Sequence, residues 1–256
     1  MPAEPAAPFS IGEVPPLAEG FTDRPDTTHG IADILVPGSS VALVPGSALD
    51  GRPPDWPGAG ETQIAAMIAK SLWRSHAIDA LIWVAATSPA AVLSAFVQAS
   101  VAATSIEPSG PAESVMTRFV SWLGETSQPW LVVLDDLPET TYLDGLWSAG
   151  LAGRLLITSR KPAIAEGRPG THVIPVGSFS VREALSFLTE RLSANPAQCL
   201  GAIDLVETLG REPLALGQAS AVVASSTLDC LAYRDLFVRS GSRSGFRTAR
   251  CHRRPC

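Results

Sequence analysis

Five short apolar runs limit this chain more than any other feature. They occupy residues 40–44, 80–85, 130–134, 154–158 and 172–176. Each is nearly continuous in Val, Leu, Ile or Ala rather than alternating with polar residues, as expected of strands covered on both sheet faces. Stretches with helical spacing separate several of them, at residues 62–73, 90–103 and 112–123. Strands alternating with helices predict a three-layer α/β/α fold around a five-stranded, mainly parallel sheet.

The connection after the first run carries the chemistry. Residues 45–57 hold four prolines and form a loop. There follows Pro57-Gly58-Ala59-Gly60-Glu61-Thr62-Gln63, then a helix with Ile64, Met67, Ile68 and Leu72 on one face. A phosphate loop needs glycines for close backbone approach, amides aimed at the anion, a lysine, and a hydroxyl for Mg²⁺. Gly58 and Gly60 supply the glycines and Thr62 the hydroxyl, but the lysine position is Glu61 and the first glycine position is Asp55. A second register, Gly46 to Gly51 followed by Arg52, is broken by Pro53-Pro54.

A carboxylate at Glu61 has two readings. At about 6 Å and an effective dielectric near 20, one unit charge is worth about 3 kcal/mol per phosphate charge, so reversing its sign costs decades of affinity. Alternatively the carboxylate stabilises the helix N-terminus by about 0.3–1 kcal/mol and itself occupies the anion site. The third run ends in Asp135-Asp136, where a Mg²⁺-binding and water-positioning acid pair would sit; an Asp-Asp-Leu-Pro turn is the plainer alternative. The fourth ends in Thr158-Ser159-Arg160, placing hydroxyls and a cation near the same sheet end.

Beyond Gly177 the runs at 181–192, 196–209, 213–224 and 228–238 read as helices of a small subdomain. The expected division is a disordered leader over 1–20, with five prolines, a nucleotide-binding domain over 21–178, helices over 179–238 and a disordered basic tail over 239–256. That tail has six arginines and no acid, leaving 13 basic against 25 acidic residues elsewhere. An acidic body argues against nucleic acid as a partner. No apolar stretch reaches the roughly 18 residues of a membrane span, and the N-terminus lacks the pattern of a signal peptide, so a cytoplasmic location is expected. Four late, scattered cysteines suit a reducing compartment.

Taken in order, the glycine loop with Thr62, Leu131-Val-Val-Leu-Asp-Asp136, Leu156-Ile-Thr-Ser-Arg160 and Gly210-Arg-Glu-Pro-Leu-Ala-Leu216 resemble the NB-ARC type of STAND P-loop NTPase, as found in bacterial multidomain regulators. The resemblance covers residues 21–237 and implies a switch that binds ADP when closed and ATP when it oligomerises. It implies Mg²⁺ at Thr62 and, through water, at Asp135, a catalytic base at Asp136, phosphate contacts from Gly58, Gly60, Glu61, Thr62, Gln63 and Arg160, and Pro213 beside the base. Partners would be proteins or further copies, engaged through repeats downstream of this region. With Glu61 in place of lysine, ATP or ADP with Mg²⁺ is expected to bind weakly and hydrolysis to be weak at most. The change of composition after Phe237 is the expected mark of a truncated or frameshifted product.

Overall fold

The computed structural model describes residues 7–46, 59–104, 109–139, 150–165 and 170–243. The chain divides into two units between Gly177 and Ser178.

The first unit contains a parallel sheet of β1 (Phe9–Ile11), β2 (Ser39–Pro45), β3 (Ala80–Ala85), β4 (Trp130–Asp135), β5 (Gly153–Thr158) and β6 (Thr171–Val176), in the order β1-β3-β4-β5-β2-β6. Its helices are α1 (Pro25–Ile34), α2 (Glu61–Arg74), α3 (Pro89–Thr104) and α4 (Ala112–Glu125). Alternate strand residues feed opposite cores, following the two-residue period of a strand. Ala42, Val44, Ile82, Val84, Val132 and Leu134 pack with Phe96 of α3 and Phe119 of α4. Val41, Leu43, Leu81, Trp83, Leu131 and Val133 pack with Ile31 of α1 and Ile64 and Ile68 of α2. This accounts for the apolar runs of β2, β3, β4 and β5, which are covered on both faces; β6, at the sheet edge, departs from the expectation, with His172, Val173 and Pro175 exposed and Val176 buried. The result is the expected three-layer α/β fold around a parallel sheet, with six strands among the described residues in place of five.

The sixth strand is β1, within the segment expected to be a disordered leader. Phe9, Ser10 and Ile11 pair with Ala80, Leu81 and Ile82, and Phe9 N–H donates to the Asp79 carbonyl at 2.9 Å. Three residues are too few for a periodicity signal, and prolines on either side hid them. Gly12 follows at φ +79°, where an added Cβ would fall 1.9 Å from the Trp83 carbonyl oxygen.

Gly153, at the start of β5, lies against the Trp130 ring, whose indole N–H donates to the Leu123 carbonyl at 3.0 Å. A Cβ there would sit 1.9 Å from the ring. Gly153→Ala should therefore cost about 1–3 kcal/mol by overpacking, read as a lower urea midpoint at unchanged m-value.

The second unit comprises α5 (Val181–Arg191), a 3₁₀ turn (Pro196–Cys199), α6 (Ala202–Thr208), α7 (Pro213–Ala224) and α8 (Cys230–Arg243). A capping box opens α5: Glu183 N–H donates to Ser180 Oγ at 3.2 Å, and Ser180 N–H to Glu183 Oε2 at 2.7 Å. The helix expected over 196–209 is interrupted at Gly201, whose φ of +77° ends the 3₁₀ turn and starts α6. Gln198 explains the break. Its buried amide donates to the carbonyls of Val223, Ser226 and Leu228 at 2.7–3.1 Å, supplying donors that the end of α7 lacks. The helix α8 runs to Arg243, past the start of the expected disordered tail at 239. Among the described residues no helix is long and apolar enough to cross a membrane.

Candidate functional site

Because every strand is parallel, the C-terminal ends of β2, β4 and β5 open on the same edge of the sheet. Ligands of open α/β sheets bind outside such ends. There Pro45, Gly60, Glu61, Thr62, Ala85, Thr87, Asp135, Asp136 and residues 158–160 line a cleft of about 430 Å³. The strand before the loop and the strand bearing the acid pair are not neighbours; β5 lies between them and inserts Thr158 and Ser159.

Asp135 organises the floor. Its Oδ1 accepts from Thr62 Oγ1 and from Thr158 Oγ1, each at 2.7 Å. Thr158 Oγ1 in turn accepts from Asp136 N–H at 2.8 Å. Ser159 N–H donates to the Leu43 carbonyl at 3.0 Å and its hydroxyl to the Leu137 carbonyl at 2.7 Å, which ties the three strand ends together. Asp136 takes a φ of +54°, a left-handed conformation uncommon outside glycine and Asn/Asp. That turn carries its carboxylate to the rim, 3.4 Å from Arg160 Nε, with both side chains more than half exposed.

The loop end behaves differently. Gly60 caps α2 at φ +100°, so α2 starts at Glu61. The Glu61 side chain folds back and its Oε1 accepts from Ala59 N–H at 3.2 Å; the amides of Gly60 and of Glu61 itself also stabilise the carboxylate. Glu61 is only 8% exposed. Buried Arg24, at the start of α1, faces it and donates to the carbonyls of Ala59 and Gly177, each at 2.8 Å. Ala59 is thus held through both its N–H and its C=O. Burial raises the Glu61 carboxyl above its ordinary range, against the opposing pull of the amides and Arg24.

That direction has a consequence for stability. A carboxyl titrating higher in the folded chain than in the unfolded one contributes fully below the unfolded value, and the contribution fades as pH rises through the folded value. Wild type should therefore lose stability relative to Glu61→Gln as pH rises above the ordinary 4.5, with the two converging at lower pH. Paired urea titrations across that range check the sign. A wild type that gains on the variant with rising pH contradicts it.

Of the residues singled out in the sequence, Gly60, Glu61, Thr62, Asp135, Asp136 and Arg160 meet in the cleft. Gln63 turns elsewhere: its Oε1 accepts from Ala18 N–H at 2.6 Å, and its Nε2 donates to the Pro16 carbonyl at 3.4 Å. Pro213 occupies the first turn of α7 in the second unit. Gly58, Asp55 and Arg52 lie outside the described residues. Thr87 and Arg24 went unnoticed in the sequence. Thr87 had the same signal as Thr158, a hydroxyl just past an apolar run. Arg24 had none, because a single arginine before a proline says nothing of what it will face.

The oxygen set of Thr62 and Asp135 suits Mg²⁺, which is commonly held by one or two protein groups, waters and a ligand's phosphates. Among the described residues no cluster of three His, Cys, Asp or Glu is placed to hold a metal. The phosphate side fits less well, since a carboxylate already accepts from the loop amides. Cation and hydroxyl chemistry are assembled here; the anion cradle holds the protein's own anion.

No protein-family model matches the sequence. Nor does any curated protein. Among solved structures, the ORC2 protein of Aeropyrum pernix, in ADPNP and ADP complexes, aligns at 14% identity and a TM-score of 0.49, over 89% of this chain and 70% of that one. Cdc6p of Pyrobaculum aerophilum aligns at 14% identity and 0.46, over 86% and 60%. The ORC1 protein of Aeropyrum pernix, in complex with DNA, aligns at 18% identity and 0.46, over 88% and 60%. The chain thus spans 60–70% of the length of these structures.

Proposed function

We propose that this chain is a regulatory nucleotide-binding domain of the NB-ARC type, in which the loop's own carboxylate suppresses binding of ATP or ADP. One observation carries the proposal: Thr62, Asp135, Thr158, Asp136 and Arg160 converge on a cleft at the strand ends, beside loop amides that already hold an anion. Thr62 and Asp135 would hold Mg²⁺, which would supply positive charge to offset that of a bound phosphate. Arg160 would contact the terminal phosphate, and Asp136 would orient water at the rim. Any hydrolysis would be weak, because Glu61 stands at the position of the loop lysine. The segment Gly210 to Leu216, which opens α7 with Pro213, supports the family reading.

The burial of Glu61 against loop amides also favours a second reading, a nucleotide-free scaffold for protein partners. Calorimetric titration of wild type with Mg-ADP and Mg-ATP separates the two. The switch reading expects saturable heat with a dissociation constant near millimolar, about −4 kcal/mol. Absence of heat and of any thermal shift at several millimolar leaves the scaffold.

A further inference from the structure

We propose that Cys199 and Cys230 are a paired modification site in the helical unit, able to close reversibly into a disulfide. The residues that follow them are in direct contact: Leu231 N–H donates to the Leu200 carbonyl at 2.8 Å. One residue further, a Cβ built on Gly201 would fall 2.6 Å from Leu231 Cβ, so the two backbones touch. Both cysteines contribute to one apolar cluster, Cys230 fully buried and Cys199 partly so. A disulfide requires Cα atoms about 4.4–6.8 Å apart, and the backbone bond one residue beyond each cysteine sets their two segments side by side. Gly201 is what allows the approach, because any side chain there would push the start of α8 away from the 3₁₀ turn.

The two thiols differ in role. Burial, with Cys199 and Asp229 nearby, pushes Cys230 up to about 11, whereas Cys199 is only partly buried and is the thiol a reagent would reach first. The Cys199 thiolate attacks a low-molecular-weight disulfide of the glutathione kind, forming a mixed disulfide and releasing one small thiol. The Cys230 thiolate then attacks Sγ of Cys199 and expels the second. Two protein thiols are oxidised, one small disulfide is reduced to two thiols, and their hydrogens are accounted for. The product fastens the 3₁₀ turn to the first residue of α8, with α6 and α7 in the closed loop.

The test uses the full chain carrying Cys251→Ser and Cys256→Ser, so that only this pair remains. After incubation with excess oxidised glutathione, both thiols should be lost to a thiol reagent and the intact mass should fall by two hydrogens. A dithiothreitol-sensitive peptide joining residues 199 and 230 should appear. Adding Cys230→Ser should leave a single glutathione adduct on Cys199; Cys230→Ala, with its fold checked by circular dichroism, gives the same readout if serine disturbs the core. A stable adduct on Cys199 beside an unreacted Cys230 overturns the proposal. So does a folded chain with both thiols free when the denatured chain is oxidised.

Discussion

Exchanging Glu61 for lysine should convert the cleft from a poor nucleotide site into a good one. The change removes the carboxylate that accepts from Ala59 N–H and puts a cation where the β- and γ-phosphates lie in a working loop. With about 3 kcal/mol for each unit charge at about 6 Å and a dielectric near 20, reversing the sign changes two units and is worth about four decades in the dissociation constant for Mg-ADP. Glu61→Gln, which removes the charge without adding one, should gain roughly half of that in free energy. Equilibrium dialysis or calorimetry on the three proteins checks the order Lys, Gln, Glu. Equal affinities across the series would mean that the charge at this position does not govern the site.

Truncating Arg24 should be the most damaging single change in the first unit outside the apolar cores. It is 5% exposed and donates to two carbonyls, Ala59 in the loop and Gly177 at the end of the unit. Hydrogen bonds from a charged donor contribute about 1.5–3 kcal/mol each, and the partners left in a buried site keep their desolvation cost. Arg24→Ala should therefore lower stability by about 3 kcal/mol or more in urea. Arg24→Lys should restore only part of it, since a point charge does not reproduce the guanidinium fork that reaches two acceptors. A loss below about 0.5 kcal/mol, the scale of an ordinary surface substitution, contradicts the role given to it.

The sheet was legible because burial on both faces leaves a composition signal that does not depend on distant partners. Residues 80–85 and 130–134 could only be covered strands, and they are. The acid pair was legible for the same reason: Asp135 and Asp136 stand where an apolar run stops. The direction of the Glu61 side chain was not. The sequence allowed both a lost lysine and a resident anion, and the choice depended on a left-handed Gly60 and on Arg24, residues linked to it only by the fold. Gln63 shows the converse. Its place beside Thr62 suggested the cleft, but a helix turns by about 100° per residue, and that rotation delivers it to the backbone of Pro16 and Ala18. Short elements fared worst. β1 and the break at Gly201 each rest on a few residues whose fate was set by partners far along the chain.

On the proposed reading, the loop amides hold Glu61 where a phosphate would bind. Amide NMR of residues 59–61 during titration with Mg-ADP tests it at the atoms concerned. Those resonances should stay fixed in wild type until nucleotide reaches millimolar concentration, and in Glu61→Lys they should shift and saturate at concentrations lower by decades. Shifts in wild type at micromolar nucleotide, or a Glu61→Lys variant that binds nucleotide while these amides remain still, would contradict it.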